Sequence, residues 1–239
     1  MTVKLIDGKK LAEKVRNRLK KEVLTLKKTP KLTVILVGDN PASQIYVKNK
    51  AKYAQEIGIK SEVIRLCSDI TQEKLLKIIK KLNKDKKVNG ILVQLPLPKH
   101  INEFDVINAI NPEKDVDGFT IYNKGLLSVG KPSLVPCTPL GIMEMLKEYK
   151  VKLSGSLAVV IGRSNIVGKP MAQLLTLNDA TVIQCHSKTK NLSEICKHAD
   201  LLVVAVGRPK FITDDMVKDD AIVIDVGINR VDGKLCGDV

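Results

Sequence analysis

The stretch that most constrains this chain is 157–170, Leu-Ala-Val-Val-Ile-Gly-Arg-Ser-Asn-Ile-Val-Gly-Lys-Pro. Its first five residues are apolar without alternation, the pattern of a strand covered on both faces, and Gly162 ends the run. Gly168, Lys169 and Pro170 then open an apolar helical segment through Met171, Leu174, Leu175 and Leu177. A strand that turns directly into a helix aims free backbone N–H groups at whatever lies above the turn, which makes an anion site. The fit to a dinucleotide fingerprint is partial. Ser164 stands where the second glycine belongs, and the last glycine comes one residue late. On this stretch alone, a strand–turn–helix corner that binds nothing stays open.

With 239 residues and 44% hydrophobic side chains, the chain can bury one large core or two modest ones. Residues 1–10 contain no apolar signal-peptide region and no stretch approaches an uninterrupted membrane span, so the expectation is a cytoplasmic protein with no membrane partner. Cys67, Cys137, Cys185, Cys196 and Cys236 lie far apart with no Cys-x-x-Cys pair, which predicts reduced, structural thiols. The histidines are scattered, His186 reads as a loop residue, and no metal is expected. The net charge of +14 suits nucleic acid, a membrane surface or a small acidic ligand. Its source is lysine spread over helix faces, as at Lys9, Lys10, Lys14, Lys20 and Lys21, with few arginines and 3% aromatic residues, so no nucleic-acid partner is expected.

Read in order, Asp7 caps a surface helix with Leu11, Val15, Leu19 and Val23 on one face. A strand over 32–37 closes at Gly38-Asp39-Asn40-Pro41, and a second helix runs from Pro41 to near Gly58. Strands follow at 63–66 and 91–95, with a helix through Leu75, Ile78, Ile79 and Leu82 between them. Pro96-Leu97-Pro98 stops the second of these strands, leaving Gln94 at its C-terminal end, where ligands of open α/β sheets bind. A short helix near 104–110 precedes a polar, turn-rich loop over 111–119; a second irregular stretch, 132–139, leads into a helix through Leu146. Beyond the organising stretch, strands at 181–184, 201–206 and 222–226 alternate with helical segments, and Asn229 to Lys234 reads as a hairpin. The fold class is α/β: two α/β domains, 1–150 and 151–239, the second a Rossmann-like doubly wound parallel sheet.

Tyr46 and Lys50, four residues apart, project from one helix face and could relay a proton. A lysine serves as acid or base near neutral pH only where its surroundings lower its pKa. With Lys48 and Lys52 beside it, a solvated face stays open for Lys50. Gln94 in an apolar strand needs a partner, structural or ligand. Asp117, between Val116 and Gly118, could accept two N–H bonds from an amino-heterocycle or cap a turn.

Five strings, in order, are Gly38-Asp39-Asn40-Pro41-Ala42-Ser43 with Tyr46-x-x-x-Lys50, Val93-Gln94-Leu95-Pro96-Leu97-Pro98, Pro112-Glu113-Lys114-Asp115-Val116-Asp117-Gly118, Pro136-Cys137-Thr138-Pro139 and Gly162-Arg163-Ser164-x-x-Val167-Gly168-x-Pro170. Together they resemble the bifunctional methylenetetrahydrofolate dehydrogenase/methenyltetrahydrofolate cyclohydrolase family, from about Ile6 to the end of the chain. The resemblance implies a homodimer acting on tetrahydrofolate derivatives in a cleft, with NADP on the second domain. Lys50 would be the catalytic acid/base, Tyr46 its neighbour and a stacking surface for folate, Gln94 the group that tunes Lys50, and Asp117 the pterin anchor. Gly162, Arg163, Ser164, Ser187 and Ile228 fall at the family's cofactor-binding positions. Rival readings are an NADP-dependent dehydrogenase without cyclohydrolase activity and a basic nucleic-acid-binding protein. The family continues past Gly237-Asp238-Val239 with a Pro-Gly-Gly-Val-Gly-Pro loop, a strand and a helix, which leaves a fragment, a truncated product and a shortened functional form open; if the chain is complete, the expectation is a protein that binds NADP but turns methylenetetrahydrofolate over slowly.

Overall fold

The computed structural model describes residues 4–239; Met1, Thr2 and Val3, which belong to the segment read above for a signal sequence, lie outside the described residues. The chain forms two compact units, Met1–Lys124 and Gly125–Val239.

In the first unit, α1 (Gly8–Thr25) starts at Asp7, whose side chain accepts the Lys10 N–H. It is followed by β1 (Lys31–Val37), α2 (Pro41–Glu56), β2 (Lys60–Leu66), α3 (Gln72–Lys84), β3 (Gly90–Val93) and α4 (Glu103–Asn108). The strands form one parallel sheet in the order β2-β1-β3. Val34 to Val37 of β1 form an unbroken buried apolar run because both faces of the strand are covered. Ile35 and Val37 pack with Leu75, Ile79 and Leu82 of α3, while Val34 and Leu36 pack with Val47 of α2. β3 ends two residues before the expected Leu95, since the prolines that follow cannot pair. An additional helix, α5 (Ile121–Ser128), had no expectation in the sequence.

The second unit contains α6 (Cys137–Glu148), β4 (Leu157–Ile161), α7 (Gly168–Thr176), β5 (Thr181–Cys185), α8 (Leu192–Cys196), β6 (Leu201–Val204) and β7 (Ile222–Asp225). The strands form a parallel sheet in the order β5-β4-β6-β7. The compact units part within α5, ahead of the boundary expected near Lys150, because α6 packs against α7. Between β6 and β7 the connection holds only one 3-10 turn, Asp214–Met216, where alternation predicted a helix. The expected hairpin is present as β8 (Asn229–Val231) and β9 (Lys234–Cys236), with Asp232 and Gly233 at positive φ in its turn.

Candidate active site and cofactor turn

α2 is phased by its cap. Asn40 Oδ1 accepts the Ser43 N–H at 3.1 Å, Pro41 takes the first position, and Ser43, Val47 and Ala54 face inward. Tyr46 and Lys50 therefore sit one turn apart beside the buried face, with Tyr46 48% exposed. Of the three neighbouring lysines, Lys48 and Lys52 are exposed and Lys50 is half-buried. Its Nζ donates to Gln94 Oε1 at 3.4 Å. Gln94 is held just past the end of β3. Its N–H donates to Ile35 O at 2.9 Å and its Nε2 donates to Leu95 O at 2.7 Å, which leaves the amide oxygen for the lysine. Two residues 44 positions apart are thus brought into one polar pair at the C-terminal end of a parallel sheet.

Asp117 is half-buried on a loop secured from three directions. Asp115 pairs with Ile91 in an isolated parallel bridge, and its buried carboxylate accepts the Thr120 N–H at 2.8 Å and Asn123 Nδ2 at 2.9 Å. Lys114 Nζ donates to Leu82 O, Asn83 O and Asp85 O at 3.0, 2.9 and 2.8 Å, satisfying the orphan carbonyls at the end of α3. Sequence reading missed Asp115 and Lys114 as supports; within Pro-Glu-Lys-Asp-Val-Asp-Gly only Asp117 was singled out.

The turn after β4 is specified by the absence of side chains. Gly162 has φ +129°, and a Cβ there would come within 2.5 Å of Ala205 O. A Cβ on Gly168 would overlap the Gly162 carbonyl. Gln184 Nε2, from β5, donates to that carbonyl at 3.1 Å. One expectation needs correction. The N–H groups of Val167 and Gly168 are not free, because Ser164 Oγ accepts both, at 3.1 and 3.3 Å. Serine at the second-glycine position replaces backbone room with a side chain that takes up the turn's own N–H groups.

Arg163 and Ser164 are exposed on this turn. β4 pairs Ile161 with Cys185 of β5, so the turns carrying Arg163 and Ser187 leave the sheet side by side. The turn after β5 is closed by the His186 N–H to Thr189 Oγ1 at 2.8 Å and the Lys188 N–H to His186 Nδ1 at 3.1 Å, with Ser187 exposed at its tip. That confirms His186 as a loop residue. Ile228 precedes β8 and is 69% exposed.

Burial pushes the Cys196 thiol up to about 11, with Cys185 adding to it, and burial likewise raises Cys185. Both thiols are free and packed in the second unit's core, as structural cysteines should be. Among the described residues, no helix is long and apolar enough to cross a membrane.

Comparison with known proteins gives a consistent result. Residues 6–117 match the tetrahydrofolate dehydrogenase/cyclohydrolase catalytic domain, and residues 136–239 match the NAD(P)-binding domain of the same family. The bifunctional protein FolD of Streptococcus agalactiae is 58% identical over 98% of this chain and 84% of its own length. That of Lactococcus lactis subsp. cremoris is 59% identical over the same shares. Among solved structures, the bifunctional FolD methylenetetrahydrofolate dehydrogenase/cyclohydrolase of Campylobacter jejuni superposes with a TM-score of 0.98 at 51% identity, over 100% of this chain and 86% of that one. The Trypanosoma brucei methylenetetrahydrofolate dehydrogenase-cyclohydrolase, complexed with NADP cofactor and inhibitor, gives 0.95 at 36% identity over the same shares.

Proposed function

Because this chain belongs to the tetrahydrofolate dehydrogenase/cyclohydrolase family, we propose that it oxidises methylenetetrahydrofolate with NADP and hydrolyses the resulting methenyltetrahydrofolate to formyltetrahydrofolate. The observation that carries this reading is the Lys50 Nζ–Gln94 Oε1 contact at the end of β3.

Bound NADP supplies the hydride acceptor. The chain's residues suit that cofactor. The end of β5, which leaves the sheet beside the glycine turn, carries Cys185-His186-Ser187-Lys188, with no carboxylate to repel a ribose phosphate. Arg163, Ser187 and Lys188 supply cation and hydroxyl donors for it, Ser164 completes the turn, and Ile228 offers an apolar contact.

The second step adds water to an electrophilic methenyl carbon. Lys50 takes one proton from the attacking water and returns it to the ring nitrogen as the carbon–nitrogen bond opens, while the remaining hydroxyl proton leaves to solvent as the formyl C=O forms. Gln94 orients Nζ through its amide oxygen, Tyr46 offers an exposed ring on the same helix face, and Asp117 accepts from the amino-pterin edge. The resemblance further supports a homodimer.

The test is spectrophotometric: methenyl formation from methylenetetrahydrofolate with NADP or NAD, followed by its hydrolysis. NADP should give the higher kcat/KM, and methenyltetrahydrofolate should disappear faster than in buffer. Equal or better turnover with NAD overturns the cofactor assignment; hydrolysis at the buffer rate leaves a dehydrogenase alone.

A further inference from the structure

We propose that Asp238 is a positioning residue for NADP binding, holding the loop after β6 and the approach to β8 against the glycine turn. The inference rests on the NADP reading above and adds a residue to it.

The Asp238 side chain is fully buried and its carboxylate is saturated by the protein. Oδ2 accepts the N–H groups of Val206 and Gly207 at 2.8 and 2.9 Å; Oδ1 accepts the Arg208 N–H and Asn229 Nδ2, each at 2.8 Å. Its carbonyl accepts the N–H groups of Phe211 and Ile212 at 2.7 and 3.0 Å. Its own N–H donates to Asp225 Oδ1 at 3.0 Å, and the same oxygen accepts the Gly227 N–H at 2.9 Å. Gly227 and Gly237 make this possible, since a Cβ on either would overlap a carboxylate, that of Asp238 or Asp225 respectively.

The pinned segments border the proposed cofactor site. Ala205, immediately before Val206, presents the carbonyl that denies Gly162 a side chain. Ile228 lies between Gly227 and Asn229, both tied to the Asp225–Asp238 pair. Burial alone pushes the Asp238 carboxyl up, but the bonds from Asn229, Val206, Gly207 and Arg208 outweigh it and hold the group below the usual carboxylate range. With its acceptor sites filled by the protein, Asp238 acts through these loops and does not contact the cofactor. Without the carboxylate, three successive N–H groups lose their acceptor and the loop must shift to find another.

The test is steady-state kinetics on the full chain, with the hydrolytic step as internal reference. Asp238→Asn removes acceptor capacity at nearly constant volume, and should raise the KM for NADP by about 10–100-fold, as one or two unpaired buried donors would. The KM for methylenetetrahydrofolate should stay within about twofold, because the affected bonds all lie in the second unit. Asn229→Ala, which loses one of the four bonds to the carboxylate together with the Asn229 Nδ2 bond to Gly237 O, should raise the NADP KM by about 3–10-fold. It decides the matter alone if Asp238→Asn does not fold. An unchanged NADP KM in the folded variants, or equal loss of NADP-dependent and hydrolytic rates with a lower Tm, overturns the proposal. Direct titration of the wild type comes first: no NADP binding removes the functional reading and this proposal together, whereas wild-type binding with unaltered variants removes this proposal alone.

Discussion

The two units build their candidate sites from opposite materials. In the first, the site is side-chain chemistry: Lys50 bonded to Gln94, with Asp117 on a braced loop. In the second it is a backbone path, set by two positions where a Cβ would strike a carbonyl. A side-chain site tolerates changes of size better than changes of chemistry. A backbone site does the reverse, and substitutions can test that contrast directly.

The largest effect is expected at Lys50. Lys50→Met keeps most of the apolar stem and removes the proton carrier, so hydrolysis of methenyltetrahydrofolate should fall about 10²–10⁴-fold. NADP titration should be unchanged. Equal loss of both would show that the first site is also a matter of architecture, and the contrast would collapse. Next is Asp117→Asn, which should weaken folate binding by about 1.5–3 kcal/mol through loss of a charge-assisted acceptor, read by calorimetry with the folded state checked by circular dichroism. Unchanged folate affinity would remove Asp117 from the site.

Gly168→Ala inverts the experiment, adding one methyl and no chemistry. The methyl has nowhere to go beside the Gly162 carbonyl, so stability should drop by about 1–3 kcal/mol and NADP affinity should fall with it. Chemical denaturation and NADP titration measure the two, and hydrolysis at a temperature where the variant is folded should remain close to wild type. Wild-type NADP affinity in the Gly168→Ala variant would mean that the turn is not the cofactor's seat.

The same contrast explains what could be read from sequence. Covered strands announce themselves, because β4 and Val34 to Val37 of β1 are apolar without alternation and their helices follow from periodicity and caps such as Asn40-Pro41. Five motifs identified the family. Composition could not separate Lys50 from Lys48 and Lys52, since what half-buries it and gives it Gln94 is a strand distant in sequence. α5 escaped notice although Thr120 caps it locally, its Oγ1 accepting the Asn123 N–H at 3.3 Å, because Gly125 interrupts its pattern and the Ile121 N–H is taken by Asn108 Oδ1, a partner 13 residues away. Ser164 looked like a defect in a glycine fingerprint, and only its bonds to Val167 and Gly168 show it to brace the turn. Asp238 carries no local signal at all; its importance lies in bonds that span about thirty residues.

The smallest effect should come from a charge placed in the backbone-built unit but at the other end of its sheet. Asp200 precedes β6, where Oδ2 accepts the Leu157 N–H at 2.9 Å and Oδ1 accepts Lys218 Nζ at 2.6 Å. The Lys218 bond first, and then the Leu157 N–H, hold its carboxyl below the usual range. A depressed carboxyl contributes stability that is present above its unfolded pKa and lost as pH falls through the folded value. Asp200→Asn should therefore lower Tm slightly at neutral pH, and the gap between variant and wild type should narrow on acidification. Both partners are nearly half exposed, so salt should narrow the gap as well. Because this pair sits where β4 and β6 begin, away from the glycine turn at their ends, NADP affinity should not move. A loss of NADP affinity in Asp200→Asn would mean that charge shapes the second site from a distance, and the division between a chemical site and an architectural one would have to be redrawn.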